Sequence, residues 1–191
     1  SIHKNKGFNF SNVSSQKELS DFLMDRLKYY MKEKKIRAEI IDASIKAHGI
    51  DHMNKIYKKA STLNGLINKE IGEDIITSYK RASSILESEL KSGDIELSNT
   101  TEPGIFKNDY EKNLFKKINE IRKYFTNIGK DENYKETLEI LAGTKKVTSE
   151  FFDNVKVNDD DKNIKKNRLE LLQMLCRTFD NYINFSNIET K

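Results

Sequence analysis

The stretch from Ser149 to Leu172, S-E-F-F-D-N-V-K-V-N-D-D-D-K-N-I-K-K-N-R-L-E-L-L, holds a helix end, a polar turn and a helix start in direct succession. Val147, Phe151 and Val155 stand at i, i+4 and i+8, on one helix face, where burying each such side chain contributes roughly 1.5–3 kcal/mol. Phe152 lies about 100° further round, so it either widens that inward stripe or points at something other than core. Asn158-Asp159-Asp160-Asp161 cannot continue a helix cheaply, but its oxygens suit the start of the next one, where acidic groups favour the positive helix end. From Lys162, the residues Ile164, Leu171, Leu172, Leu175, Phe179 and Ile183 recur at helical spacing. Arg168 sits inside that stripe and needs a partner. Asp153 and Asp160 are the nearest plausible acids in the hairpin, and Arg takes carboxylates bidentately. Two readings stay open: an ion pair that fixes the turn, or a turn whose amides, acids and Phe152 form a recognition surface.

The rest of the chain has the same period. Ser15-Gln16-Lys17-Glu18 matches a capping box, and Leu19, Phe22, Leu23, Leu27, Tyr30 and Met31 continue a first helix to about Lys35. A second, Ile36 to Ala47, turns Ile41 and Ile45 inward and stops at Gly49, and Asp51 caps a third carrying Met53, Ile56, Tyr57, Ala60 and Leu63. Gly65 and Gly72 bracket a possible hinge before a long helix that ends at Gly93. Residues 93–107, with the only proline, Pro103, form a loop between helices. Tyr110 to Phe125 form the next helix, stopped near Gly129. Asp131 or Asn133 caps another that carries Tyr134, Leu138 and Leu141, and Gly143 closes it. Strand-like alternation is nearly absent and no period of about 20–50 residues repeats. The fold class is therefore all-α, a helical bundle.

Several chemistries find no support. His48 and His52 have the spacing of a zinc helix, but Gly49 separates them and no third ligand follows. There is no glycine-rich phosphate loop, and Asp159-Asp160-Asp161 lacks the glycine and the spacing of a calcium loop. The single cysteine, Cys176, allows no intrachain disulfide and reads as a buried, inert thiol, which favours a reducing cytoplasm. No apolar run approaches the ~20 residues of a membrane span, and none has the form of a secretory signal. The first residue is Ser, so a piece cut from the C-terminal part of something larger is expected. The net charge of +4 permits an anionic partner. Only six of the 34 basic residues are Arg, the better base and phosphate reader, so the Lys excess is not by itself a nucleic-acid signature.

Phe151-Phe152-Asp153-x-Val155-x-Val157, then Asp160, then Asn167-Arg168-Leu169-x-Leu171-Leu172, resembles the DALR-type anticodon-binding domain at the C-terminus of bacterial glycyl-tRNA synthetase beta subunits, a helical type shared with arginyl-tRNA synthetases. The resemblance extends back through Tyr134-x-x-x-Leu138-x-x-Leu141, Glu102-Pro103 and Lys80-Arg81-Ala82-Ser83-Ser84-Ile85-Leu86, and forward to Phe185-Ser186-x-Ile188-Glu189. It thus runs in order from Lys80 to Glu189. A looser match covers Phe22-Leu23-Met24-Asp25-Arg26-Leu27 and Ile40-Ile41-Asp42-Ala43. In relatives the place of Ser84 is usually Asn, and those of Lys156 and Asn158 are commonly apolar. The resemblance implies a leading helical segment over residues 1–71 and a DALR-like bundle over residues 72–191.

It also implies a role: holding the anticodon end of tRNA(Gly) while the alpha subunit, a separate chain, uses ATP and Mg²⁺ to make glycyl-adenylate and transfer glycine. This segment would be non-catalytic and need no cofactor of its own. Glycine anticodons carry two cytosines, whose exocyclic amines need acceptors. Asp153, Asn154, Asp159 or Asp160 can accept, Phe152 can stack, and Lys80, Arg81, Lys145, Lys146 and Arg168 can hold phosphates, with Asn167 beside them. The competing reading is a helical protein-interaction or scaffold module with no RNA role.

Overall fold

A computed structural model describes residues 13–47, 52–92, 95–98, 100–128 and 132–189. Eight α-helices and one 3-10 turn, Pro103–Ile105, lie among these residues. The first helix, α1 (Val13–Glu33), is under way before the expected start at Ser15. It closes through Lys35 in the left-handed region, φ 58°. The Ile36 N–H donates to the Met31 carbonyl at 3.1 Å and the Lys35 N–H to the Lys32 carbonyl at 2.9 Å, a paired closure that glycine usually serves. In α2 (Ala38–Ala47) the inward face is Ile40, Ile41, Ala43 and Ser44, and Ile45 is only half-buried. The expected stripe is therefore rotated. Gly49, Asp51, Gly93, Gly129, Asp131 and His48 lie outside the described residues.

The helices α3 (Met53–Leu66) and α4 (Glu70–Ser92) meet at a tight corner. A Cβ on Gly72 would stand 2.3 Å from the Ile67 carbonyl oxygen and 2.4 Å from the Ile67 Cα, whereas one on Gly65 would meet nothing within 4 Å. The pair expected as a hinge is thus a packed corner, and only Gly72 is needed for it. The next helix, α5 (Asp109–Asn127), starts on a reciprocal cap in which Asn108 Oδ1 accepts from the Glu111 N–H and Glu111 Oε2 accepts from the Asn108 N–H, both at 3.1 Å. Asn133 caps α6 (Tyr134–Ala142), and Gly143 ends it. After α7 (Lys145–Asn154), Asp161 caps α8 (Lys162–Asp180) by accepting from the Asn163 and Ile164 amides.

The centre of the bundle is α8, with Leu169, Leu171, Leu172, Leu175 and Phe179 buried. It lies along α4 and α5; α7 packs on α5 and α4, and α6 joins α4 to α3. Beyond α8 the chain folds back, burying Tyr182, Ile183, Phe185 and Ile188 beside Tyr79 and Phe179. The leading helices share this core through Lys59, whose Nζ donates to the carbonyls of Asn181 (3.2 Å) and Tyr182 (3.1 Å), with Glu132 at 3.4 Å. The Tyr182 hydroxyl donates back to the Lys59 carbonyl at 3.1 Å. Burial pushes the Lys59 ammonium down to about 8, against the opposing pull of Glu132.

Candidate nucleic-acid interface

The corner between α7 and α8 is held from inside by Arg168. Its Nε donates to Glu111 Oε1 at 2.5 Å, and its Nη1 donates to the Lys156 carbonyl at 2.9 Å and to Asp159 Oδ2 at 2.7 Å. Both Arg168 and Glu111 are buried. Since Glu111 also caps α5, one carboxylate ties the start of α5, the 155–161 turn and α8 together. The sequence expectation that Asp153 or Asp160 pairs with Arg168 is corrected here. Asp160 is fully exposed at the tip, with Lys156 Nζ at 3.8 Å, and Asp153 faces outward. Asp159 wins because the turn brings its carboxylate, still partly exposed, back against Arg168; the Asp161 amide, and then Arg168, hold its carboxyl below the usual carboxylate range. Arg168 is thereby committed to the protein's own acids.

Asn167 is committed in the same way. Its Oδ1 accepts from the Glu102 N–H at 2.7 Å and its Nδ2 donates to the Glu102 carbonyl at 3.1 Å. One turn on, Glu170 accepts from the Ser98 N–H at 2.8 Å and from the Ser98 hydroxyl at 2.5 Å. These bonds fasten Ser98 and Glu102 of the interhelical loop along α8.

The other expected residues face out along a seam between α4 and α7. Arg81 stacks over the Phe152 ring, its Cζ 4.4 Å from the centroid, with Nη1 3.6 Å from Asp153 Oδ1. Seven residues earlier on each helix, Lys145 Nζ lies 3.6 Å from Asp74 Oδ1. The equal seven-residue step, about two helical turns, shows that α4 and α7 run in the same direction along this seam. Phe152 belongs to neither of the two extremes expected: it is half-buried against Phe151, ring centroids 5.3 Å apart, and is roofed by a guanidinium. Arg81 remains about half exposed (48%) and Asp153 more so (65%). Lys146 is loosely paired with Glu150 at 3.9 Å, and Asn154 is exposed beside it. Lys80 points to another side of α4, toward Glu189 Oε1 at 3.5 Å.

The structure therefore brings Arg81, Lys145, Phe152 and Asp153 onto one face, flanked by Lys146 and Asn154, and places Asn167 and Arg168 off it, as fasteners of the interhelical loop at Glu102 and of the α7–α8 corner. A stacked Arg–Phe pair with a carboxylate at its edge can offer a planar surface, donors and an acceptor to an unstacked base, with ammonium groups near for phosphates. Two functional supports escaped the sequence reading. Asn108-x-x-Glu111 has a capping-box spacing directly before an apolar run, which is a signal that could have found it; Lys59 has none, since Lys beside an inward stripe normally reaches back to water.

A model of the DALR anticodon binding domain matches residues 75–191. The chain belongs to the DALR anticodon-binding domain family. The match begins in α4 and takes in both sides of the α4–α7 seam. Among curated proteins, the chain is 31% identical over 179 residues to the glycine–tRNA ligase beta subunit of Rickettsia prowazekii (strain Madrid E), spanning 92% of this chain and 25% of that protein. It is 32% identical over 167 residues to the same subunit of Rickettsia typhi (87% and 24%), and 28% identical over 175 residues to that of Cereibacter sphaeroides (91% and 25%). The chain spans about a quarter of the length of these relatives. Among the described residues no helix is long and apolar enough to cross a membrane.

Proposed function

We propose that this chain is the anticodon-binding part of a glycine–tRNA ligase beta subunit, acting in the cytoplasm. The observation that carries the reading is the extent of the likeness. The alignments cover about nine-tenths of the chain, reaching past the DALR domain into the leading helices. In this reading the protein contributes positioning. The alpha subunit, a separate chain, carries the ATP- and Mg²⁺-dependent activation of glycine, and residues 72–191 hold the anticodon loop of tRNA(Gly). Arg81 on Phe152 is the stacking platform. Asp153, Asn154 and Asp160 are acceptors for cytosine amines, and Lys80, Lys145 and Lys146 meet phosphates. Asn167 and Arg168 hold the corner in shape.

A protein-docking role is favoured by a separate observation and is compatible with the first. On α1, Leu19 (55%), Phe22 (54%), Tyr29 (60%) and Tyr30 (44%) are exposed, an unusual run for one helix. We assign residues 15–71 to docking against the rest of the beta subunit. The test of RNA binding is an anisotropy titration with tRNA(Gly) and an unrelated tRNA at two salt concentrations. Tighter binding of tRNA(Gly) at both is expected; equal affinities that fall together with salt would reduce binding to nonspecific charge and leave the docking role alone.

A further inference from the structure

A second cleft, on the far part of α8, involves none of the RNA-contacting residues proposed above. It measures about 220 Å³ and is lined by Arg122 of α5 and by Gln173, Met174, Arg177, Thr178 and Asn181 of α8 and its end. Among the described residues, Arg122 and Arg177 are the two arginines whose guanidinium has no partner: Arg26 lies over Phe22, Arg37 bonds the Glu189 carbonyl, and Arg81 and Arg168 are engaged as described. Both are exposed and both line this one cleft. Like charges brought together there favour an anion between them, and planar guanidiniums suit phosphate oxygens bidentately.

The carbonyls at the end of α8, which would repel an anion, are already covered: Asn181 Nδ2 donates to the Arg177 and Thr178 carbonyls, and Lys59 takes those of Asn181 and Tyr182. In the wider cleft beside Ser98, Glu102, Asn167 and Glu170 the polar groups satisfy one another.

From this geometry we infer that the α5–α8 cleft is a phosphate subsite for RNA: Arg122 and Arg177 clasp one backbone phosphate, with Met174 as an apolar wall. The cleft is smaller than the roughly 300–1,000 Å³ of sites for drug-sized ligands, which suits a single nucleotide. The inference rests on the RNA-binding reading above and adds an RNA-binding point remote from Phe152.

The test uses the full chain and a labelled anticodon stem-loop RNA. The double variant Arg122→Gln/Arg177→Gln lowers affinity about tenfold or more, and the salt slope falls by roughly 0.7 for each phosphate no longer neutralised. A control that removes two charges elsewhere on α5, Lys116→Gln/Lys123→Gln, has a much smaller effect. In the unsubstituted chain, bound RNA shields Arg122 and Arg177 from phenylglyoxal, as mapped by mass spectrometry. Wild-type RNA binding with an arginine pair no more sensitive than the lysine pair, or with both arginines still modified, overturns the subsite and leaves the RNA-binding reading intact; absence of RNA binding by the wild-type chain removes both.

Discussion

Two arginines on neighbouring elements do opposite jobs, and burial separates them. Arg168 is buried with Glu111, so replacing it with Met strands a carboxylate in the interior. Loss of one partner of such a pair costs about 3–5 kcal/mol, measurable as a lower urea midpoint. Arg81 is half exposed and its approach to the Asp153 carboxylate is long, so Arg81→Ala should cost no more than about 1 kcal/mol while weakening RNA binding. Asp159 supplies a pH signature. Its folded pKa is depressed by the Asp161 amide and Arg168, so its contribution is complete above the unfolded value of about 3.9 and is lost as pH falls through the folded one. Urea titrations from pH 7 down to pH 2 should show this acid loss in the wild type and a smaller one in Arg168→Met. The sequence offered Asp153 and Asp160 as partners because they are near in the chain, whereas Glu111 is 57 residues away and was selected by packing that no local spacing encodes.

At the scale of elements, the helices were legible because each carries a 3.6-residue apolar stripe, and the caps at Asn133 and in the Asn158–Asp161 run followed from residue chemistry. What spacing did not convey was how one helix meets the next. A glycine on paper signals freedom, but Gly72 is there because Ile67 backbone occupies the space a side chain would need. Gly72→Ala should therefore destabilise by at least the ~1–3 kcal/mol typical of overpacking. Gly65→Ala, in an open helical position, should stabilise by about 0.4–1 kcal/mol. Thermal melts of the two variants check this, and similar shifts in both would mean the corner is a hinge after all. Phe152 was ambiguous for a related reason: its angle on α7 was readable, but its roof comes from α4.

Across the whole molecule, the expected division at residue 71 is bridged by one buried lysine. Lys59 on α3 holds the two carbonyls that end α8 and faces Glu132. Lys59→Met leaves those carbonyls unanswered and Glu132 with Lys55 alone, so it should cost about 1–3 kcal/mol and lower the melting temperature of a single cooperative transition. Two separate transitions in the wild type would argue instead that the leading helices fold apart from the bundle. The bundle in turn presents the α4–α7 face and the α5–α8 cleft from different neighbours of the same central helix. For the central claim, that this face holds the anticodon of a glycine tRNA, the most direct measurement is a competition titration with exchanged anticodons: a tRNA(Gly) body carrying a foreign anticodon loop, and a foreign body carrying the glycine loop. The account predicts that affinity follows the loop; affinity that follows the body, or ignores the exchange, contradicts it.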